Sequence, residues 1–179
     1  MATVIRSRDL LVRGLWVVTI VLAAAAGVTV ILSPPDRRGH DFWILGLPDL
    51  VLTLPFMIGS ATVGAIVASK RPANPVGWLL GACGFLAALD EFARAYAIYG
   101  LFIQPGSVPA PAFVAWFNAW TWQLTFGLTI ILLPLIFPTS RSRTSRWVAL
   151  VWLASGFVGV WTLVAAFGPR TIYLDWRSG

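Results

Sequence analysis

Long runs without a single Asp, Glu, Lys or Arg dominate this chain: Gly14 to Pro35, Leu50 to Ser69, Pro72 to Leu89, Ala95 to Ser140 and Trp147 to Pro169. About 20 apolar residues in a helix cross the ~30 Å hydrocarbon core of a bilayer. In that medium each backbone polar group must be satisfied inside the segment, which a helix does. The run from Ala95 to Ser140 is too long for one crossing, and Gln104-Pro-Gly-Ser-Val-Pro-Ala-Pro111 breaks it, since proline and glycine at that density end one helix and start the next. The helix begun at Pro72 continues through the charged Asp90–Arg94 segment. Five spans are predicted, at 14–32, 49–69, 76–102, 112–137 and 147–168. The expected fold is an all-α polytopic membrane helix bundle of about five transmembrane helices, with residues 1–13 as a cytoplasmic segment and 169–179 as an extracytoplasmic tail.

Composition agrees. Of 179 residues, 58% are apolar and 11% charged, against about 25% charged in a soluble domain. Too few charges are present to cover a water-facing surface, which excludes a disordered chain and an ordinary soluble enzyme. The net charge of +6 is spread over loops and forms no basic helix face, so no nucleic-acid partner is expected; the lipid bilayer is the expected partner. One cysteine, Cys83, sits inside an apolar run and reads as a small packed residue. The single histidine, His40, lies between Asp36 and Asp41 and reads as part of a solvated loop. No metal or cofactor is expected.

Basic residues orient the bundle, because Lys and Arg are retained on the cytoplasmic side. Arg6, Arg8, Arg13, Lys70, Arg71, Arg141, Arg143 and Arg146 fall on one side; Arg37, Arg38, Arg170 and Arg177 fall on the other. The eight-to-four excess predicts a plasma-membrane protein with its N-terminus inside and, with five spans, its C-terminus outside. The first run has a basic start and an Ala23–Ala26 stretch, as a signal peptide has, but apolar sequence continues to Leu32, which favours a retained helix. Trp43, Trp78, Trp116, Trp147 and Trp176 are expected at the headgroup layer, and Trp120, Trp122, Trp152 and Trp161 between helices.

The third span carries Asp90, Glu91 and Arg94. Helical spacing brings Asp90 and Glu91 within one turn of Arg94, and pairing lowers the cost of charge in hydrocarbon. Two readings stand: a ligand, proton or signal site near the outer half of the bundle, or a self-neutralising group that holds helices together. In the fourth span, Asn118, Thr121, Thr125 and Thr129 fall within an arc of about 80°, a stripe suited to hydrogen bonds across helices. Gln123 lies off that stripe and needs another partner. No further acid or base on another span completes a relay.

Small residues recur every four positions: Gly77 and Gly81, followed by Gly84 and Ala88; Ser60, Gly64 and Ala68; Ser155 and Gly159. Such patterns permit close helix approach, within the bundle or in a homodimer. Pro55 and Pro134 predict kinks. Pro72-Ala-Asn-Pro75 reads as a tight turn. No dinucleotide fingerprint, P-loop, zinc-protease motif or nucleophile elbow occurs.

Five blocks resemble one family. Asn74-Pro-Val-Gly-Trp-Leu-Leu80 resembles the "NPIGWLL" opening of a transmembrane helix in actinobacterial membrane-bound sensor histidine kinases. Glu91-Phe-Ala-Arg-Ala-Tyr-Ala97, Gln104-Pro-Gly-Ser-Val-Pro109 and Ala115-Trp-Phe-Asn-Ala-Trp-Thr-Trp122 are similar to the acidic–aromatic stretch, short loop and Trp-rich helix that follow there. Leu133-Pro-Leu-Ile-Phe-Pro-Thr-Ser-Arg141 with Ser145-Arg-Trp147 resembles a cytoplasmic loop of the same proteins, with Ser140 at a position where glycine is common. The similarity covers residues 70–154. It implies a sensory or anchoring membrane region coupled to phosphotransfer, with a histidine kinase or response regulator as partner. The chain has no room for phosphoacceptor and ATP-binding domains after residue 168, and the returning span usual in the family is missing. The expectation is a truncated or stand-alone membrane region without kinase activity, rather than an enzyme. An accessory subunit of a transporter is the second reading, and a small membrane enzyme or carrier using Asp90, Glu91 and Arg94 the third.

Overall fold

The computed structural model describes residues 2–32, 47–132, 135 and 145–168, with backbone alone for 2–9, 47–49 and 145. The described residues are helical throughout, apart from the turns that join the helices. Helix α1 covers Ala2–Leu32, α2 Leu47–Lys70, α3 Pro75–Ile98, α4 Pro111–Phe126 and α5 Ser145–Phe167. Two of them end in wider π turns, α3 in Tyr99–Ile103 and α4 in Gly127–Leu132.

Four helical stretches are long and apolar enough to cross a membrane: Leu10–Leu32, Leu50–Lys70, Pro75–Ile103 and Arg146–Phe167. The helix over 111–132 is not among them, because Asn118, Thr121, Gln123 and Thr125 dilute its apolar surface. The predicted multi-pass bundle therefore holds with four such helices. The boundaries fall within a few residues of those expected, and α2 runs through Pro55 without ending. Pro134, Trp43, Trp176, His40 and most of the basic 138–146 segment lie outside the described residues.

Helix α3 is the hub: it packs on α1, α2 and α4, while α5 rests on α4 and its π turn. Small residues explain the tightest seam. The α2 and α3 stripes meet antiparallel. A Cβ on Gly64 would run into the backbone of Gly81 and Gly77; one on Gly77 would stand 2.7 Å from Ala68 N; one on Gly84 would stand 2.6 Å from Ala61 N. The Gly77–Gly81 motif is thus spent inside the chain, and in this packing it is closed to a second copy. Leu50, Met57, Ala23, Val30, Ala88 and Ala95 fill the core between α1, α2 and α3. Trp16 Nε1 donates to Thr62 Oγ1 at 3.0 Å and ties α1 to α2.

The outer surface is apolar. Trp152 is 74% exposed and Phe167 77%, values that in water would be costly and in lipid are not. This corrects the expectation for Trp152, the side of α5 that carries it facing no other helix among the described residues. Trp122 is half-exposed too, although its ring meets Trp161 edge-on at 6.4 Å.

Candidate functional site

The site is built on the facing sides of α3 and α4. Helix α3 starts sharply because Asn74 Oδ1 accepts the Val76 N–H at 3.0 Å and Pro75 occupies the first turn, where its missing N–H costs nothing. Trp78 Nε1 donates to Pro72 O at 3.1 Å and fixes the preceding turn. At the far end, the 104–111 connection is strapped back onto α3. Tyr96 Oη donates to Pro109 O at 3.0 Å, and Tyr99 Oη donates to Gln104 Oε1 at 2.9 Å. Gly100 lies against Val108 and Pro111 with no room for a side chain. Ala110, at φ 48°, takes the left-handed conformation that lets Pro111 begin α4. These restraints set the register between α3 and α4.

That register joins Asp90 to α4. Asp90 Oδ1 accepts from Asn118 Nδ2 at 2.8 Å and from Thr121 Oγ1 at 2.7 Å, and Asn118 Nδ2 also reaches Asp90 O at 3.0 Å. The next residue, the buried Glu91, forms an ion pair with Arg94 about one turn further along α3. Desolvating an ion is costly, and a close partner offsets the cost. The sequence expectation placed all three charged groups together on one face. Glu91 and Arg94 pair along α3, and Asp90 hydrogen-bonds to α4 while staying within electrostatic reach of both. Asp90 sits about midway along Pro75–Ile103, with Glu91 and Arg94 just past the middle.

The α4 stripe faces α3 as expected, but its members do different work. Asn118 and Thr121 bind Asp90. Thr125 Oγ1 donates to Thr121 O at 3.2 Å, within its own helix. Thr129 Oγ1 donates to Thr125 O at 2.8 Å, also within α4 and its π turn. Ser60 donates to Phe56 O and, with Gly64, packs against α3 instead of joining the polar junction.

Sequence reasoning missed the opposite face of α4. There Trp116 Nε1 donates to Ala166 O at 3.0 Å, across to α5, and Gly127 lies against Val158. Trp120 Nε1 and Gln123 Oε1 are buried without a hydrogen-bond partner. The off-stripe position of Gln123 was the available signal. Among the described residues no group of His, Cys, Asp and Glu side chains is arranged to hold a metal ion. The junction offers one carboxyl, one amide and one hydroxyl in register across α3 and α4. Comparison with protein-family models, with curated proteins and with solved structures gives no match.

Proposed function

We propose that this chain is a membrane-embedded signalling region of the kind that precedes a two-component histidine kinase, acting with a kinase or response regulator and having no catalytic centre of its own. The observation that carries the reading is the polar junction between Asp90 on α3 and Asn118 and Thr121 on α4. A hydrogen-bonded group at the middle of two apolar helices resists sliding and has few alternative partners. It therefore holds α3 and α4 in one register, and a stimulus that exchanges one partner moves one helix against the other. The residues that resemble the sensor kinases supply the parts: Glu91, Arg94 and Tyr96 from one block, Gln104 and Pro109 from the loop block, Asn118 and Thr121 from the Trp-rich block. In this reading residues 111–132 form a fifth span, the polar side of which is turned to protein. The N-terminus is cytoplasmic and the C-terminus extracytoplasmic in the plasma membrane. A homodimer would use a face other than the Gly77–Gly81 seam.

The test is a chromosomal Asp90→Ala or Thr121→Val replacement with transcript profiling in the native cell, together with inspection of the adjoining DNA for a kinase or response regulator. The expected result is a defined set of transcripts that shifts while the protein inserts at normal abundance. Unchanged transcripts, no such neighbour, and stable co-purification with transporter chains would replace this reading with the accessory-subunit one.

A further inference from the structure

Away from the polar junction, four aromatic rings form one row across α4 and α5. Trp122 meets Phe126 one turn further along α4, with centroids 6.3 Å apart, and meets Trp161 of α5 at 6.4 Å; Trp161 in turn meets Phe157 at 6.0 Å. Four-residue spacing puts each pair on one helix face. The antiparallel run of α4 and α5, with Trp116 against Ala166 and Gly127 against Val158, brings the two pairs level. The row is not covered by protein: Trp122, Phe126 and Phe157 are each about half exposed. Its depth is unusual for tryptophan, which favours the headgroup layer, where its N–H finds an acceptor. Trp122 follows Thr121, which bonds to Asp90 midway along Pro75–Ile103. Trp161 stands six residues, about 9 Å, inside the Phe167 end of α5. Neither indole N–H has a hydrogen-bond acceptor among the described residues. Water does not reach this depth of a bilayer, and a polar group left unpaired in hydrocarbon is costly.

An acceptor for these two donors has to be carried into the hydrocarbon by a molecule that is itself apolar and that packs on aromatic rings. The ester carbonyls of ordinary lipids stay in the interfacial layer, outside the hydrocarbon core, and do not qualify. A conjugated ring that bears carbonyl oxygens and an isoprenoid tail does. We propose that the row of Phe126, Trp122, Trp161 and Phe157 binds the head of an isoprenoid quinone, with the indole N–H groups of Trp122 and Trp161 donating to its carbonyl oxygens and the two phenyl rings packing beside it. One donor comes from α4 and the other from α5, so the bound ring joins these helices at a second point besides the Trp116–Ala166 hydrogen bond. The proposal rests on α4 being a span, as in the reading above, and not on the signalling role.

The full-length chain, purified in a non-ionic detergent and freed of lipid, is incubated with menaquinone-4 or with squalene, an isoprenoid that has no carbonyl ring, and the bound ligand is quantified after gel filtration. The expected result is one menaquinone-4 per chain, little squalene, and an infrared carbonyl band at lower frequency than that of the quinone in detergent alone. Trp122→Phe with Trp161→Phe keeps the rings and removes both N–H groups; it should bind about tenfold less tightly and return the band to its free position. Trp152→Phe, on the side of α5 opposite Trp161, should bind as the wild type does. If the double variant does not fold, Trp161→Phe alone serves, with part of the band shift lost. Equal binding of menaquinone-4 and squalene, an unshifted band, or full binding by a folded double variant overturns the proposal. Disulfide formation between Phe157→Cys chains in a Cys83→Ala background, undiminished by menaquinone-4, assigns the row to a second copy and also overturns it. Single cysteines in the 104–111 and 138–146 segments that react from the same side of the membrane remove the premise that α4 crosses. Reaction from opposite sides, without a preference for the quinone, removes the quinone site alone.

Discussion

Thr121 Oγ1 lies 2.7 Å from Asp90 Oδ1, a contact across 31 positions of sequence that fastens α4 to α3 inside the apolar bundle. Replacing Asp90 with Ala removes the carboxyl acceptor that Asn118 and Thr121 share and leaves them only main-chain carbonyls, whereas Thr121→Val removes one donor and keeps the shape. A double-mutant cycle between Asp90→Ala and Thr121→Val, read by thermal unfolding in detergent micelles, should give a coupling of about 1 kcal/mol, within the range found for hydrogen bonds between membrane helices. Additive effects of the two replacements would show that the contact does not join the helices.

The seam between α2 and α3 makes a distinction that the glycine pattern does not. Gly64→Ala, Gly77→Ala and Gly84→Ala each drive a methyl into backbone of the facing helix, and each should destabilise the bundle by about 1–3 kcal/mol, as overpacking does. Gly81→Ala places its methyl 3.5 Å from Leu15 Cδ2, an ordinary contact, and should be tolerated. Equal losses at Gly77 and Gly81 in the same unfolding assay would contradict the antiparallel register.

Glu91 and Arg94 form a buried pair, so losing one partner should cost more than losing both. Glu91→Leu or Arg94→Met alone should destabilise by about 3 kcal/mol, and the double variant should recover most of that loss. A double variant as unstable as the sum of the singles would mean that the two charges have independent structural roles.

Gln123 gives the opposite sign. Its Oε1 is buried without a partner, and an unpaired buried carbonyl costs about 1–3 kcal/mol. Gln123→Met keeps the length of the side chain and removes the polar group, so it should raise the unfolding midpoint. A lowered midpoint would reveal a hydrogen bond formed by Gln123 in the membrane.

The orientation is tested by labelling. In a Cys83→Ala background, single cysteines in the 70–75 turn should be protected from an impermeant thiol reagent in intact cells, and those in the 104–111 connection should react. The reverse pattern would invert the bundle.

Much of this arrangement was legible without coordinates. Charge-free runs gave the four long apolar stretches to within a few residues, because a polar side chain in hydrocarbon costs more than most packing contacts return, although helix α1 itself extends back to Ala2 through the basic segment. Asn74 with Pro75 announced the start of α3, and Gln104 to Pro111 the break before α4, since both act through local backbone geometry. Periodicity turned Asn118 and Thr121 to one face of α4. It did not name Asp90 as their acceptor. Spacing along α3 allowed Asp90, Glu91 and Arg94 to meet, and only the approach of α4 supplied the two donors that Asp90 accepts from. Trp152 failed for the same kind of reason: an apolar aromatic fits a helix interface and the lipid equally well, so its residue type cannot choose between them. The sequence by itself determined which segments are long and apolar enough to cross a membrane and which helix faces need partners, because those follow from transfer free energy and a 3.6-residue repeat. Which partner each face found was decided by tertiary structure alone: Gly64 against Gly77 and Gly81, Asp90 against Thr121, Trp116 against Ala166. Helix pairing depends on how closely whole backbones approach, a property of two surfaces together that neither segment carries alone.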